Sequence, residues 1–281
     1  MKQDSLVAPA LKWVGGKRQL LKDIEPMVPK EYSTYYEPFV GGGAVLFALQ
    51  PAKAVINDAN EELINVYITI RDQCEELINE LKLHEQNNKS EYYYEVRGYD
   101  RNQEKYTGMS RVERAARILY LNKTCYNGLF RVNQSGQFNS PYGKYKNPNI
   151  VNETTLRALH RFLNRKGIRI LSGDYKEALK TAKKGAFVYL DPPYHPISYS
   201  SSFTGYTNNG FGMNQQIELK EICDKLNKRG VNFLLSNSYC DFILELYQNF
   251  TIKQVSAKRA INSNASKRGD VEEVLISNYE I

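Results

Sequence analysis

The chain has 281 residues, 42% hydrophobic and 25% charged, so a disordered or collagen-like protein is excluded. Its uncharged apolar runs, such as Val40–Leu49, are far shorter than the roughly 20 residues of a membrane span, and the chain opens without a secretory signal pattern. We therefore expect a cytoplasmic protein with no membrane partner. The net charge of +7, from 38 basic and 31 acidic residues, is compatible with a polyanionic partner.

Strand and helix patterns alternate along the chain on both sides of a central segment. This alternation predicts a doubly wound, mostly parallel α/β sheet that carries an inserted domain. Two C-terminal runs predict an antiparallel hairpin, and the connection between them, residues 259–270, is expected to be mobile. The predicted strands are Tyr35–Phe39, Ala54–Asn57, Ile168–Leu171, Ala186–Leu190, Val231–Ser236, Thr251–Lys258 and Glu272–Tyr279. The predicted helices are Gly43–Leu49, Glu61–Leu83, Tyr175–Lys183 and Asn214–Lys228.

The central segment is set apart by its charge. Residues 111–165 contain ten basic and two acidic residues, a net charge of +8, whereas residues 66–110 have a net charge of −3. A local excess of this size is the electrostatic signature of a nucleic-acid-binding face. The segment 111–165 is therefore the predicted nucleic-acid face, and most of its charges are expected to contact phosphates.

A glycine turn follows the first predicted strand, at Gly41-Gly-Gly43. Asp58 ends the second strand, 17 residues beyond Gly41, close to the spacing at which an acidic residue holds the ribose of a nucleoside cofactor. The spacing alone leaves both NAD and S-adenosylmethionine open. The absence of a G-x-G-x-x-G pattern makes a dinucleotide the weaker alternative, because no helix N-terminus is prepared for a pyrophosphate.

Trp13 lies beside a Gly-Gly turn and Lys17. These residues could hold a small anionic or aromatic ligand. The alternative, which residue chemistry alone favours, is a packed tryptophan and a solvated lysine. Four separated cysteines and three separated histidines show no zinc-ligand spacing, so no metal site is predicted.

The sequence Asp191-Pro192-Pro193-Tyr194 follows an apolar strand. Two prolines make the turn rigid, and its carbonyls are expected to face outward. The turn suits a planar amino group: Asp191 accepts one N–H, the Pro192 carbonyl accepts the other, and Tyr194 stacks on the ring. Both acceptors would stabilise the positive charge that develops on the nitrogen.

These motifs, in this order, resemble the Dam family of adenine-N6 DNA methyltransferases. The resemblance rests on Trp13–Lys17, Glu37-Pro-Phe-Val-Gly-Gly-Gly43, Asn57-Asp58 and Asp191–Tyr194. It extends from the N-terminus to the last strand. It is closest to the GATC methylases of DpnII-type restriction–modification systems, through Tyr126–Asn133 and Phe138–Gly143.

The resemblance implies a seven-stranded catalytic domain (1–65 plus 166–281) and a mainly helical target-recognition domain (66–165). It also implies S-adenosylmethionine as cofactor, duplex DNA containing GATC as substrate, and a cognate restriction endonuclease acting on the same site. The implied cofactor-binding residues are Trp13, Lys17, Glu37, Phe39, Gly41, Gly43, Asp58 and Asp191. The implied DNA-binding residues are Tyr126, Asn127, Leu129, Arg131, Asn133, Pro141 and Lys144, with Arg131 reading a guanine.

Two alternatives stay open at this point. An RNA adenine methyltransferase would share the cofactor and catalytic motifs but would need an insert for single-stranded or loop substrates. A DNA-binding protein with an inactive methyltransferase fold would not need the intact Asp58 and Asp191–Tyr194. Aromatic residues in the loop at 198–209 (Tyr199, Phe203 or Tyr206) could close over a flipped base. His195 is assigned no role.

Overall fold

The computed structural model describes residues 3–196, 211–258 and 270–280. One mixed sheet with the strand order β3-β2-β1-β4-β5-β7-β6 organises the fold. Strands β1, β2, β4 and β5 pair in parallel, whereas β7 pairs antiparallel with both β5 and β6. The strands are β1 (Tyr35–Glu37), β2 (Ala54–Asp58), β3 (Ile168–Ser172), β4 (Phe187–Leu190), β5 (Asn232–Ser238), β6 (Thr251–Lys258) and β7 (Asp270–Ser277).

This sheet confirms the predicted fold class and the antiparallel C-terminal pair. Strand β4 is buried along its whole length, as is β5 after its first residue. Such continuous burial is typical of parallel strands covered on both faces. The predicted loop aromatics (Tyr199, Phe203, Tyr206) and the connection 259–269 lie outside the described residues.

Eleven α-helices surround the sheet or fill the central segment within the described ranges. The first three are α1 (Leu21–Ile24), α2 (Ala44–Leu49) and α3 (Glu61–Asp72). The next five are α4 (Cys74–Gln86), α5 (Ser90–Gly98), α6 (Gln103–Gly108), α7 (Arg111–Thr124) and α8 (Glu153–Leu163). The last three are α9 (Tyr175–Leu179), α10 (Met213–Lys228) and α11 (Asp241–Leu246).

The helix predicted at Glu61–Leu83 is two helices, α3 and α4. Gln73 separates them with φ −137° and ψ 47°, although its N–H still bonds to the Thr69 carbonyl. The apolar spacing runs through both helices, so periodicity could not reveal a single residue that leaves the helical conformation. The helix predicted at Tyr175–Lys183 ends earlier, at Leu179.

The chain forms two compact units, and each has its own core. In the first, α7 is the most deeply buried helix, and a capping box between Ser110 and Glu113 fixes where it begins. In the second, strands β4 and β5 form the core. Unit 1 comprises Met1–Gly16, Val40–Ala52 and Asn57–Asp174, and unit 2 comprises Lys17–Phe39, Lys53–Ile56 and Tyr175–Ile281.

The two units are set apart by how the residues pack and not by function. The functional division predicted from the sequence, with a recognition domain at 66–165, stays a prediction. Within that segment, residues 74–124 are largely helical and residues 125–152 contain two isolated β-bridges. No helix in the described part of the chain is both long and apolar enough to cross a membrane.

Candidate functional site

Asp191 lies directly after the buried strand β4, in unit 2. Its Oδ1 atom is 2.9 Å from Nζ of Lys17 and accepts a hydrogen bond from Ser236 Oγ at 2.8 Å. Burial raises the pKa of Asp191 above its ordinary value, because desolvation outweighs the opposing effects of Lys17 and Ser236. The carboxylate is thus oriented by two partners in a poorly hydrated environment, which suits an acceptor at a reacting nitrogen.

Lys17 itself is only 6% exposed. The interpretation of a solvated lysine is therefore wrong. The reason is tertiary: the Asp191 carboxylate stands within ion-pair distance of an ammonium group that the sequence places 174 positions away. The same ammonium lies 4.7 Å from the ring centroid of Tyr194, in cation–π geometry.

The Tyr194 ring is fixed at its far end by a second carboxylate. Its hydroxyl donates to Glu273 Oε2 on β7 at 2.6 Å. Burial, followed by the nearby charges of Asp191 and Glu273, raises the pKa of Tyr194 well above its ordinary value. Tyr194 therefore stays a neutral donor, and its ring plane is held in one orientation.

The proline turn is braced by side chains from helix α10 and strand β5. Gln216 is fully buried, and its Nε2 donates to the Pro193 carbonyl at 2.9 Å. Asn237 donates to Gln216 Oε1 at 3.0 Å and accepts from the His195 N–H at 3.1 Å. The expectation that the turn's carbonyls face outward is wrong for Pro193, because a buried amide needed an acceptor there. His195 ends this brace with its ring 4.6 Å from that of Phe242.

Two further predicted cofactor residues lie in unit 2. Glu37 is 3% exposed and accepts a hydrogen bond from the Tyr35 hydroxyl at 2.7 Å. Phe39 packs against Tyr175 with ring centroids 4.8 Å apart, and edge-on against Phe211 at 5.8 Å. Glu37 is thus an oriented, buried acceptor, and Phe39 belongs to an aromatic cluster.

In unit 1, Asp58 fastens the glycine turn to the end of β2. Its Oδ2 accepts the N–H of Gly41 at 3.0 Å, and its Oδ1 accepts the N–H of Asn60 at 2.9 Å. Gly41 has φ +48°, a conformation that favours glycine, and its carbonyl accepts from the Tyr67 hydroxyl at 2.7 Å. Asp58 therefore shapes the turn as well as presenting a carboxylate.

The other end of the turn shows why glycine is required there. Gly43 has φ +70°, and a Cβ at this position would lie 2.6 Å from the ring of Phe47. Close packing onto α2 accounts for Gly43 without a ligand.

Trp13 packs directly against the glycine turn in unit 1. A Cβ on Gly41 would lie 3.0 Å from Cδ1 of the indole, and one on Gly42 would lie 3.2 Å from Trp13 Cβ. The indole also stacks on Phe130, with centroids 4.5 Å apart and 25° between the planes. Because Phe130 precedes Arg131, one aromatic contact links the glycine turn to the segment with the predicted DNA-reading residues.

The predicted DNA-reading residues lie in and beside a loop whose two sides are joined by two isolated antiparallel bridges, Cys125 to Tyr142 and Val132 to Phe138. We call residues 129–141 the reading loop. Arg131 is exposed, and its guanidinium donates to the Asn139 carbonyl at 3.0 Å. Asn133 turns the tip of the loop, because its Oδ1 accepts the N–H groups of Ser135 and Gln137 at 3.0 Å.

The remaining DNA-reading candidates lie at or near the base of the reading loop. Tyr126 is 56% exposed. Its backbone N–H donates to the carbonyl of Pro141, which is also exposed, at 2.8 Å. The N–H of Asn127 donates to the Tyr145 hydroxyl at 2.9 Å. The Leu129 carbonyl accepts from Ser140 Oγ at 2.5 Å. Lys144 is exposed, with φ +53°.

The charge of residues 111–165 overstates the cationic surface. Arg117 is 1% exposed and bonds to Asp100 at 2.8 Å, so it cannot contact a phosphate. Arg114 pairs with Glu62, and Arg157 pairs with two carboxylates. Three of the ten basic residues thus have structural partners, which a charge count cannot reveal. The expectation that most of the ten contact phosphates stays a prediction for the others.

Four polar residues that complete the site were not identified from the sequence. They carry no motif of their own, and they reach the proline turn only because β5 pairs with β4, β7 pairs with β5, and α10 packs against β5. For Ser236 and Asn237 the weak signal available was a polar residue in a strand that begins with apolar residues, where burial demands a hydrogen-bond partner. These residues are Gln216, Ser236, Asn237 and Glu273.

Comparison with known proteins identifies the family. Residues 13–261 match the family described as D12 class N6 adenine-specific DNA methyltransferase. The chain is 46% identical over 271 residues to the type II methyltransferase M1.LlaDCHI of Lactococcus lactis subsp. cremoris, covering 96% of this chain and 95% of the relative. It is 46% identical over 292 residues to the type II methyltransferase M.MjaIII of Methanocaldococcus jannaschii, covering 97% and 99%.

A third relative is more distant. The chain is 34% identical over 268 residues to the DNA adenine methylase of Escherichia coli K12, covering 94% of this chain and 93% of the relative. The identity is spread over nearly the whole length of each protein. The chain belongs to the D12 class of N6 adenine-specific DNA methyltransferases.

Proposed function

We propose that this enzyme transfers a methyl group from S-adenosylmethionine to N6 of an adenine flipped out of duplex DNA, within GATC. The observation that carries the proposal is the turn Asp191–Tyr194, with its carboxylate held by Lys17 and Ser236 and its tyrosine held by Glu273. This arrangement presents an oriented acceptor beside a fixed aromatic ring. An adenine has the complementary features, an exocyclic amino group on a flat ring.

The residues present fit a nucleoside cofactor. Gly41 and Gly42 leave no side chain between their backbone and the indole of Trp13. Asp58 supplies a carboxylate for hydroxyl donors, and its bond to Gly41 fixes its position. S-adenosylmethionine, when bound, supplies the activated methyl group. We propose that Trp13, Lys17, Asp58 and Asp191 hold it, with Glu37, Phe39, Gly41 and Gly43 shaping its surroundings.

The chain's own residues would then act by orientation and electrostatics. Asp191 accepts one N6 proton in a hydrogen bond and stabilises the positive charge that grows on N6 as the new bond forms. Tyr194 stacks on the base and fixes the plane of the amino group. Pro192 and Pro193 keep this acceptor and ring rigid, and Gln216 anchors the Pro193 carbonyl.

Access to N6 requires base flipping, because the amino group is paired inside the duplex. We propose that Tyr126, Asn127 and Leu129 occupy the region from which the adenine leaves, and that Pro141 lines the neighbouring bases. Arg131 would read a guanine in the major groove, where guanidinium pairs with O6 and N7. Asn133 and Lys144 would contact the backbone. The exposure of Tyr126 and Arg131 supports this assignment.

The names of two relatives, type II methyltransferases, support a role beside a restriction endonuclease that cuts the same site. We propose that this enzyme is the modification partner in such a pair. Its methyl groups would then protect host DNA from cleavage.

The deciding experiment offers a random-sequence DNA duplex library and S-adenosylmethionine to the purified enzyme, and then maps modified adenines. We expect N6-methyladenine confined to GATC. A folded RNA library run in parallel tests the RNA alternative, and titration calorimetry with the cofactor tests the inactive-fold alternative. Methylation of RNA alone, or the absence of cofactor binding, would overturn the proposal.

Asp58→Ala should weaken S-adenosylmethionine binding much more than DNA binding. Removing a charged acceptor should raise the cofactor dissociation constant about tenfold or more, since a hydrogen bond to a charged group contributes about 1.5–3 kcal/mol. Calorimetry measures the cofactor constant, and fluorescence anisotropy with a labelled duplex measures the DNA constant. Asp72→Ala, which removes an exposed carboxylate paired with Arg71, is the matched control. An unchanged cofactor constant in Asp58→Ala would refute the ribose assignment.

A further inference from the structure

The reading loop is attached to the helical part of unit 1 through the backbone of two residues. The Ser140 carbonyl accepts from the Tyr93 hydroxyl at 2.8 Å and from the Arg97 guanidinium at 3.3 Å, whereas Phe138 is held through both its N–H and its carbonyl. The N–H of Phe138 donates to Asp100 Oδ2 at 2.7 Å, and its carbonyl accepts from the guanidinium of Arg101 at 2.9 Å. Both backbone groups of Phe138 on this side are thus satisfied by two consecutive side chains. Asp100 and Arg101 take the place that a neighbouring β-strand would occupy in a sheet.

Asp100 is itself locked in position. Its carboxylate lies 2.8 Å from the guanidinium of Arg117, which is 1% exposed. Arg117 also donates to the carbonyls of Val96 and Arg97, each at 2.9 Å. A buried arginine with these partners has one orientation, so the position of Asp100 is set by α7 and the end of α5.

Phe138 is connected to Arg131 through the residues next to each of them. Phe138 is bridged to Val132, and the N–H of the next residue, Asn139, donates to the Arg131 carbonyl at 2.7 Å. The Asn139 carbonyl in turn accepts from the Arg131 guanidinium at 3.0 Å. A shift of the 138–139 backbone therefore moves both the backbone and the side chain of Arg131.

We infer that Asp100 and Arg101 are positioning residues for sequence discrimination, which they secure by clamping Phe138 so that the Arg131 guanidinium is aimed before DNA arrives. The inference rests on the proposed role of Arg131 as a guanine reader. A bidentate contact depends on the direction of its donors, whereas a phosphate contact tolerates displacement. Loosening the clamp should therefore cost discrimination rather than overall DNA affinity.

Arg101→Met is the first test, because it removes the donor to the Phe138 carbonyl, together with the ion pair of Arg101 with Asp100 at 2.9 Å, and leaves the Asp100–Arg117 pair in place. The measurement is the ratio of methylation rates on the preferred duplex and on the duplex substituted at the guanine beside the target adenine. We expect this ratio to fall about tenfold, the effect of losing one charge-assisted hydrogen bond. The rate on the substituted duplex should fall much less than the rate on the preferred one.

Arg157→Met is the matched control, since it also removes one half-exposed arginine that pairs with carboxylates but does not contact the reading loop. Its ratio should equal that of the wild type. Asp100→Asn is the second variant; it should lower both the ratio and the melting temperature, because it leaves Arg117 buried without its charged partner. If Asp100→Asn does not fold, Arg101→Met decides alone.

The possible outcomes distinguish the positioning role of Asp100 and Arg101 from the proposed function. If wild-type enzyme methylates duplex adenine selectively and Arg101→Met retains the full ratio, the positioning role is refuted and the proposed function stands. If Arg101→Met slows both duplexes by one common factor, its role is structural only, which also refutes the inference. If the wild type methylates no duplex adenine, the proposed function fails and the inference fails with it.

Discussion

Asp191→Ala is expected to leave a folded protein whose methyl-transfer rate is lowered about 100- to 1,000-fold, the usual effect of removing one group that stabilises developing charge. The expectation follows from the position of Asp191 at the end of β4, where Lys17 and Ser236 hold its carboxylate. Single-turnover methylation at saturating cofactor and DNA isolates this effect from binding. A rate within about tenfold of the wild type would exclude Asp191 as the main acceptor.

Folding needs its own control in this experiment. Asp191→Ala leaves the buried ammonium of Lys17 without the carboxylate 2.9 Å away, and an uncompensated buried charge costs about 3–5 kcal/mol. The double variant Asp191→Ala with Lys17→Met removes both charges. If Asp191→Ala is folded at the assay temperature and the double variant melts at a higher temperature, the lost activity of the single variant is chemical rather than structural. The activity of the double variant is not compared, because Lys17 is itself proposed to hold the cofactor.

The pKa of Asp191 predicts how the methyl-transfer rate falls at low pH. Asp191 accepts the N6 proton only when ionised, and burial raises its pKa above the ordinary aspartate value. The rate should therefore fall on acidification at a higher pH than an ordinary aspartate would give. Because Lys17 lowers this pKa, Lys17→Met should move the acid limb to still higher pH. A limb that moves to lower pH in Lys17→Met would contradict this arrangement.

Arg131→Ala is expected to relax the preference for the guanine beside the target adenine. A bidentate arginine–guanine contact provides about 1–3 kcal/mol of discrimination, so the rate ratio between GATC and its variant at that guanine should fall roughly 5- to 150-fold. Arg131→Lys keeps the charge but loses the planar fork. It should retain the salt dependence of binding and still lose most of the discrimination.

Lys144→Gln is the comparison variant for a backbone contact. It should weaken all duplexes about equally and reduce the slope of affinity against salt by about one. Methylation rates on GATC and single-base variants at two salt concentrations separate the two behaviours. If Arg131→Ala slows every duplex by a common factor, Arg131 is a phosphate contact and the proposed reading site is misplaced.

How far the sequence reaches is clear from particular elements. The seven strands, the antiparallel C-terminal pair and the turn Asp191–Tyr194 were all predictable, because each is marked locally by apolar runs, prolines or glycines. The break at Gln73 between α3 and α4 was not, since the apolar period continues through it. The role of Arg117 was not predictable either. Its residue type predicts an exposed charge, yet its side chain is buried and holds neighbouring groups in place.

For this protein the sequence by itself determined the family motifs, their order and the residue types that could do the chemistry. Each of these features involves residues that are close together in sequence, so it can be recognised without the structure. Only the tertiary structure decided which distant groups meet: Lys17 and Ser236 at Asp191, Glu273 at Tyr194, and Asp100 at the reading loop. The physical reason is that buried polar groups must find partners, and those partners are chosen by the packing of strands and helices that lie far apart in sequence.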